Sequence, residues 1–496
     1  MTTNAAPGEK FFNDAVHGVI QLPPLCVKVV DTPQFQRLRF IKQLGTCYLV
    51  YPSSCSNRFE HSIGVCHIAG QLARALQSRQ PELKISNEDV LSVQLAGLCH
   101  DLGHGPFSHL WEAFVNKARP ENKWTHESAS IQMFNHLIKV NNLEAEFRKY
   151  SLEEEDILFI KELIDGPRDS SAAAWPYKGR TSDKAFLYEI VSNKRTGVDV
   201  DKWDYFLRDS HSLGIKVTFD YYRLLHFSRV IDFEGEGLQI CYQDKEVDTL
   251  YDMFHTRRTL HRTAYQHRVV KIIDLMLVDA FCYADKHIHF KDKEGKIYYL
   301  ADVCYNMDAY TNLVDDVFHQ IIRAEGEHQD LMKAKEIIER ILTRRLYVSI
   351  GHTQPTSGDI KKEKLVEELV RNRPQDSSLT RNDFDIQEVW LNYGMGDKNP
   401  IECIKFFNKK NPQAASSIKR EEVSEMLPQR FQEVEYWMIL KSDSQHYMTA
   451  RKMFEDSCSQ LGLEFSHEVD PTHLSSFAPV EFSRGVKFKF FIYVDL

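Results

Sequence analysis

A mainly α protein, with a helical core followed by a smaller α+β carboxyl-terminal lobe, is what the sequence predicts. Three observations carry that expectation. Apolar residues recur at helical spacing through most of the first 345 positions. Beyond Leu346 the pattern changes to shorter segments with glycine, proline and alternating polarity. At 496 residues the chain also exceeds the roughly 250 to 300 at which one hydrophobic core stops growing, so two bodies are expected, residues 1–345 and 346–496.

The elements follow in order. Val65, Ile68, Leu72 and Leu76 share one helical face. Ser86, with Asp89 three positions on, reads as a capping box; it opens a helix through Val90, Leu91 and Leu95 that ends near Gly103 and delivers His100 and Asp101. Leu187, Ile190 and Val191 mark another helical face. Val200, Trp203 and Leu207 mark a further one, with Asp201 and Lys202 at its edge and Tyr205 and Asp209 on one flank. The polar run Arg371 to Asn382 reads as a loop or linker. In the carboxyl-terminal lobe the clearest strand is Val486, Phe488, Phe490, Ile492 and Val494, interleaved with Lys487 and Lys489.

Composition narrows the function classes. Hydrophobic residues at 43% and charged residues at 27% describe an ordinary globular chain. A net charge of -9 gives nucleic acid no bulk attraction, so any polyanion must meet a local basic patch. Ten cysteines without a CxxC pair fit free thiols in a reducing compartment better than a disulfide scaffold or zinc ribbon. Met1 to Lys10 lacks the apolar core of a signal peptide, and no later apolar run approaches the ~20 residues that span a bilayer. A soluble intracellular protein of the nucleus, the cytoplasm or both is expected, with no membrane partner.

The chemistry concentrates in Cys99-His100-Asp101-Leu102-Gly103-His104-Gly105-Pro106-Phe107-Ser108-His109, where an imidazole and a carboxylate precede glycines that free the backbone. Two neighbours supply only two ligands. Arg58-Phe59-Glu60-His61 and Asp199-Val200-Asp201 offer a further His and Asp, giving His61, His100, Asp101 and Asp201 as the candidate set. Two imidazoles and two carboxylates suit Fe, Mn, Zn or Mg, with positions left for water and a phosphate oxygen. Residue types alone leave a second explanation open, because a His-Asp pair also serves as a helix-end hydrogen-bond pair.

In this order the four residues match the H…HD…D signature of the HD superfamily. Asp31 to Arg39, Asn57 to Ser62, Leu98 to His109, Asp199 to Phe206 and Leu250 to Arg257 closely resemble the vertebrate SAM-and-HD-domain deoxynucleoside triphosphate triphosphohydrolases. The resemblance runs from about Lys10 to Thr356, then more weakly through Asn392-Tyr393-Gly394-Met395 toward residue 460. It implies an HD-domain helical core that hydrolyses deoxynucleoside triphosphates (dNTPs) to deoxynucleoside and triphosphate. One divalent metal (Fe, Zn or Mn) would occupy the four ligands, with Mg bound to the nucleotide. His109 would be the general acid, oriented by His126 and Glu112, with His104 a further active-site histidine. Arg58, Lys202 and Arg257 would meet the triphosphate. Gln43, Leu44, Tyr205, Asp209, His261, Tyr265 and Gln266 would surround sugar and base, excluding a 2′ hydroxyl while accepting all four bases.

The resemblance also implies a homotetramer held by nucleotides at its interfaces, falling to dimer or monomer without them. Lys10, Phe11, Asp31, Gln36, Arg39 and Arg344 match a site for GTP or dGTP; Asn13, Val50, Tyr51, Arg223, Lys245, His267 and Arg268 match a second site for a dNTP. Residues 1–345 would then be the catalytic core with an amino-terminal regulatory arm, and 346–496 a lobe contributing to oligomerisation. The implied role is to lower cellular dNTP pools, including in antiviral defence. Three departures are expected to matter: no SAM domain precedes the catalytic region, Val486 to Leu496 is unlike the family's polar tail, and Glu112 replaces an Asp. Val348 and Gln243 stand where the family has basic side chains; each lost charge-assisted bond weakens nucleotide affinity by ~1.5 to 3 kcal/mol. On the four ligands alone an HD phosphodiesterase or 5′-nucleotidase is the alternative. A single-stranded nucleic-acid binder using the basic helix around Arg257 to Lys271 is a third reading.

Overall fold

The computed structural model describes residues 8–166, 175–233, 235–355, 360–375, 377–424, 426–441 and 446–467. The alternating segment Val486 to Val494 lies outside the described residues. The chain is mainly helical, with a smaller sheet-containing carboxyl-terminal region. It divides into two compact units, Met1–Val348 with Gln387–Glu435, and Ser349–Ile386 with Tyr436–Leu496. The expected division at residue 345 is redrawn in one respect: the chain returns to the first unit at residue 387. Among the described residues no helix is long and apolar enough to cross a membrane.

The first unit opens with a hairpin, β1 (Lys10–Asp14) paired antiparallel with β2 (Gly18–Leu22). Helix α1 (Arg58–Arg79) starts where the Asn57 N–H donates to Glu60 at 2.7 Å, and it buries Val65, Ile68, Leu72 and Leu76 as their spacing predicts. Each such side chain contributes roughly 1.5 to 3 kcal/mol when taken from water. It packs most heavily on α2 (Asn87–Cys99). The capping box of α2 is present: the Asp89 N–H donates to Ser86 Oγ at 3.1 Å, and the Ser86 N–H to Asp89 Oδ2 at 3.0 Å. The helix ends at Cys99 rather than near Gly103, because Leu102 N–H bonds back to Cys99 O and His104 N–H to Asp101 O, tightening the chain into three-residue turns.

Two short helices follow, α3 (His109–Ala118) and α4 (His126–Val140). The Leu187 face differs from expectation: Ser182–Glu189 is a 3₁₀ helix, although Leu187, Ile190 and Val191 are buried. A spacing of three and four satisfies either helix type, so periodicity does not separate them. Helix α5 (Val200–Leu213) is capped by Asp199, whose carboxylate accepts from Lys202 N–H at 3.1 Å. Its interior is Val200, Trp203 and Phe206, with Leu207 only half-buried. Helix α6 (Val247–Leu260) runs into one π-helical turn, His261–Tyr265, and then α7 (Arg268–Ala284) forms a long helix rich in buried apolar side chains. A four-stranded sheet flanks these helices in the order Asn411–Ser416, Phe406–Asn408, Leu238–Gln243 and Ser228–Asp232.

A second four-stranded sheet has the order Phe465–His467, Val348–Thr353, Gln432–Leu440 and Phe384–Asn392, and helices Lys362–Arg371 and Tyr447–Gln460 belong to the second unit. Among the described residues between Arg371 and Asn382 the chain is irregular until a 3₁₀ turn begins at Arg381, as its polar composition suggests.

Candidate active site

Three helices deliver four side chains to one point. His61 lies in the first turn of α1, His100 and Asp101 follow the end of α2, and Asp201 lies in the first turn of α5. His61 Nε2 stands 3.1 Å from Asp201 Oδ1 and 3.4 Å from Asp101 Oδ2; His100 Nε2 stands 3.4 Å from Asp201 Oδ1 and 3.5 Å from Asp101 Oδ1. Atoms bound at about 2.0 to 2.2 Å around one ion are separated by this kind of distance. Both Nε2 atoms are buried and lack a hydrogen-bond partner of proper geometry among the described residues.

The back of each ring fixes its front. His100 Nδ1–H donates to Gly97 O at 2.8 Å, and His61 Nδ1–H donates to Asp204 Oδ2 at 2.7 Å. A carbonyl and a carboxylate only accept, so each Nε2 carries its lone pair toward the shared point. Asp204 is itself held by His17 Nε2 at 2.7 Å and by Arg208 Nε and Nη2 at 2.9 Å. Gly64 makes this possible: a Cβ there would sit 1.8 Å from Asp204 Oδ1. Burial opposes charge on His61, but Asp201, Asp204 and Asp101 outweigh it and carry its pKa up to about 10. The pocket therefore calls for a cation, and the donor set fits a divalent metal.

Beyond Asp101 the chain turns sharply. Phe107 and Ser108 both adopt left-handed backbone, with φ of 57° and 59°, a conformation worth roughly 1 to 3 kcal/mol of strain per residue. Phe107 N–H donates to Asp315 Oδ1 at 2.7 Å and Ser108 Oγ–H to Lys42 O at 2.6 Å, which offsets the strain and aims His109 into the cavity at the start of α3. His104 stacks on His126 with ring centroids 4.1 Å apart, and His109 meets both rings edge-on. His126 Nδ1–H donates to Glu112 Oε2 at 2.8 Å. The protein walls, then Arg58 and His126, hold the His109 imidazole well below its ordinary pKa.

One cavity of about 430 Å³ joins these groups, a size suited to a small organic ligand. Of the residues expected around substrate, Gln43, Leu44, Arg58, Tyr205, Asp209, Arg257, His261, Tyr265 and Gln266 line it, together with Asp101, Asp201, His104, His109 and His126. Lys202 does not; its ammonium pairs with Asp199 Oδ2 at 2.6 Å. Arg58 is largely engaged, donating to Asp101 Oδ2 at 2.5 Å, Ser108 Oγ at 3.0 Å and Gln43 O at 3.3 Å. Arg257 Nη1 donates to Asn392 O and Oδ1 at 2.6 and 2.8 Å. Tyr265 Oη–H donates to Asp209 Oδ2 at 2.6 Å, while burial raises the Asp209 carboxyl to about 7.

The residues expected to bind activators lie outside this cavity. Lys10 Nζ pairs with Asp31 Oδ2 at 2.6 Å; Arg39 donates to Gln36 Oε1 at 2.7 Å and covers the Phe59 ring. Phe11 is exposed on β1, and Arg344 donates to Leu49 O. In the second group Arg223 pairs with Glu246 at 2.6 Å, Lys245 lies over the Phe227 ring, and Tyr51 meets His267 edge-on. Asn13 and Arg268 are exposed, Val50 is half-buried, and Gln243 is buried within its strand.

Sequence reasoning missed Asp204, His17 and Arg208 behind the metal ligands, and Lys271 and Asp274 in the cavity wall. Asp204 had a signal, being one helical turn beyond Asp201. His17 had none, because its contact with Asp204 is set by tertiary packing.

Comparison with known proteins follows the same lines. A family model described as "HD domain" matches residues 58–167. The chain is 49% identical over 461 residues to "Deoxynucleoside triphosphate triphosphohydrolase SAMHD1" of Danio rerio, covering 90% of this chain and 74% of that protein. The protein of the same name from Homo sapiens is 49% identical over 463 residues, covering 91% and 73%. A "Deoxynucleoside triphosphate triphosphohydrolase SAMHD1 homolog" of Dictyostelium discoideum is 37% identical over 485 residues, covering 96% and 84%. Identity of this order along nine-tenths of the sequence shows that the chain belongs to the SAMHD1 family of HD-domain proteins.

Proposed function

We propose that the chain hydrolyses dNTPs to deoxynucleoside and triphosphate, and that GTP or dGTP with a dNTP activates it by assembling a homotetramer that lowers cellular dNTP pools. The observation that carries the reading is the meeting of His61, His100, Asp101 and Asp201 beside a cavity that also holds His109, Arg257 and the Tyr265–Asp209 pair. Relatives named for this activity support it.

His61, His100, Asp101 and Asp201 would hold a divalent cation, which would supply Lewis-acid chemistry to the α-phosphate when bound. The protein does the rest. Asp204 and the Gly97 carbonyl keep both imidazole lone pairs turned inward, and Arg58 anchors Asp101. Arg257, braced by Asn392, meets the phosphates. A water oxygen then bonds to the α-phosphorus and gives its proton up to bulk solvent, while the bond to the 5′ oxygen breaks and that oxygen takes a proton from His109. Burial, then Arg58 and His126, disfavour protonated His109, and the roughly four negative charges of a bound triphosphate would act in the opposite direction. Glu112 orients His126 beneath it. The Tyr265–Asp209 bond closes the wall against the sugar and disfavours a 2′ hydroxyl.

The test is incubation with dGTP, and separately with GTP plus dATP, followed by chromatography. Nucleoside and intact triphosphate are expected, with a sizing shift to tetramer under GTP plus dNTP. Orthophosphate released from monophosphates instead would favour the nucleotidase alternative, and an unchanged monomer or dimer would end the activation model.

A further inference from the structure

Two cavity-lining side chains have no part in the reaction above. Lys271 and Asp274 stand one turn apart near the start of α7, and both face the cavity. Thr46 Oγ1–H donates to Asp274 Oδ1 at 2.6 Å and fixes the carboxylate, leaving Oδ2 without a partner among the described residues. The Lys271 ammonium likewise has neither a hydrogen bond nor a carboxylate within 4 Å among the described residues.

Their place in the cavity is distinct from that of the metal ligands. Lys271 acts on Asp274 and, with Arg257 and His109, on His261, whereas Arg58 acts on Asp101, His104, His109 and Asp209. With the α-phosphate at the metal ligands and the sugar against Tyr265 and Asp209, this region falls to the base.

An ammonium only donates and a carboxylate only accepts. Guanine, hypoxanthine and thymine present a carbonyl oxygen beside a ring N–H, which complements that pair. Adenine and cytosine present an amino group beside a ring lone pair, so donor would face donor and acceptor would face acceptor. We propose that Lys271 and Asp274 read the base edge and make the enzyme favour keto bases, dGTP and dTTP, over amino bases, dATP and dCTP. The inference rests on the dNTP hydrolase reading and departs from the indifference to base that the family resemblance implies.

The decisive pair is dITP and dATP, which differ only at the two edge positions concerned. Activation is equalised by holding GTP and one non-hydrolysable dNTP analogue constant in every reaction. We expect kcat/KM to favour dITP over dATP, and dTTP over dCTP, by roughly tenfold or more, in line with discrimination by one good paired contact. Lys271→Met should bring both ratios close to one; a ratio taken within one preparation is independent of the fraction folded. Equal rates on dITP and dATP in the unaltered enzyme would overturn the inference, as would a Lys271→Met variant that slows all four substrates alike, which would assign the ammonium to phosphate. Absence of hydrolysis of every dNTP would instead sink the underlying reaction.

Discussion

His61 is held at both ring nitrogens, and the two grips have different consequences. Nε2 faces Asp201 and Asp101, while Nδ1–H is tied to a carboxylate that is not part of the lining of the 430 Å³ cavity. Asp204→Asn keeps the side chain's size but allows an amide nitrogen to face the ring and reverse its tautomer. Metal affinity is expected to fall roughly 10- to 100-fold, the usual consequence of losing such an outer partner. Metal analysis after dialysis against a weak chelator reads this directly, and full retention would show that the tether is dispensable. The convergence of His61, His100, Asp101 and Asp201 was legible in the sequence because each belongs to a short motif whose chemistry is unusual for a surface. Asp204 was hidden by its own motif, where the ligand Asp201 accounts for the pattern. Lys271 was hidden because a basic helix start ordinarily faces solvent, and only the packing of α7 turns it toward the cavity.

At the scale of elements, local chemistry was readable and longer-range placement was not. The box of Ser86 and Asp89 opens α2 where it was expected, since two side chains three residues apart suffice to satisfy the first N–H groups. Its far end was misjudged because nothing local distinguishes a continuing α-helix from tightened turns. The 3₁₀ character of Ser182–Glu189 was illegible for the same reason. The return of Gln387–Glu435 to the first unit depends on pairings such as Phe406 with Tyr242, far apart in sequence. Ser86→Ala removes the cap and should lower stability by about 1 kcal/mol in denaturant unfolding. Metal content should stay unchanged, because His100 lies at the opposite end of the helix. A loss of metal in this variant would show that fraying reaches the ligand end.

For the molecule as a whole, stability should carry a pH signature from a buried carboxyl that is not among the candidate metal ligands. Glu189 is buried; it accepts from Ile240 N–H at 2.9 Å and has Arg195 at 3.3 Å, yet burial still raises its pKa from 4.5 to about 7. A raised folded pKa means a stabilising contribution that is complete below about 4.5 and is lost as pH rises through 7. The difference amounts to about 3 kcal/mol at most. Glu189→Gln cannot ionise, so its unfolding free energy should fall less between pH 5 and 8 than that of the unaltered protein. Parallel curves would place the titration elsewhere.

The opening hairpin has a reach beyond its size. Asp14, the last residue of β1, accepts from Arg208 at 2.9 Å and from the N–H groups of Val16 and His17, and His17 in turn bonds Asp204. The strand bearing Lys10, Phe11 and Asn13 is thus bolted, through a chain of rigid couplings, to the rear of a metal-facing ring. A substitution that loosens Asp14 would therefore be felt first at Arg208 and His17, the two side chains that hold Asp204 against the His61 ring.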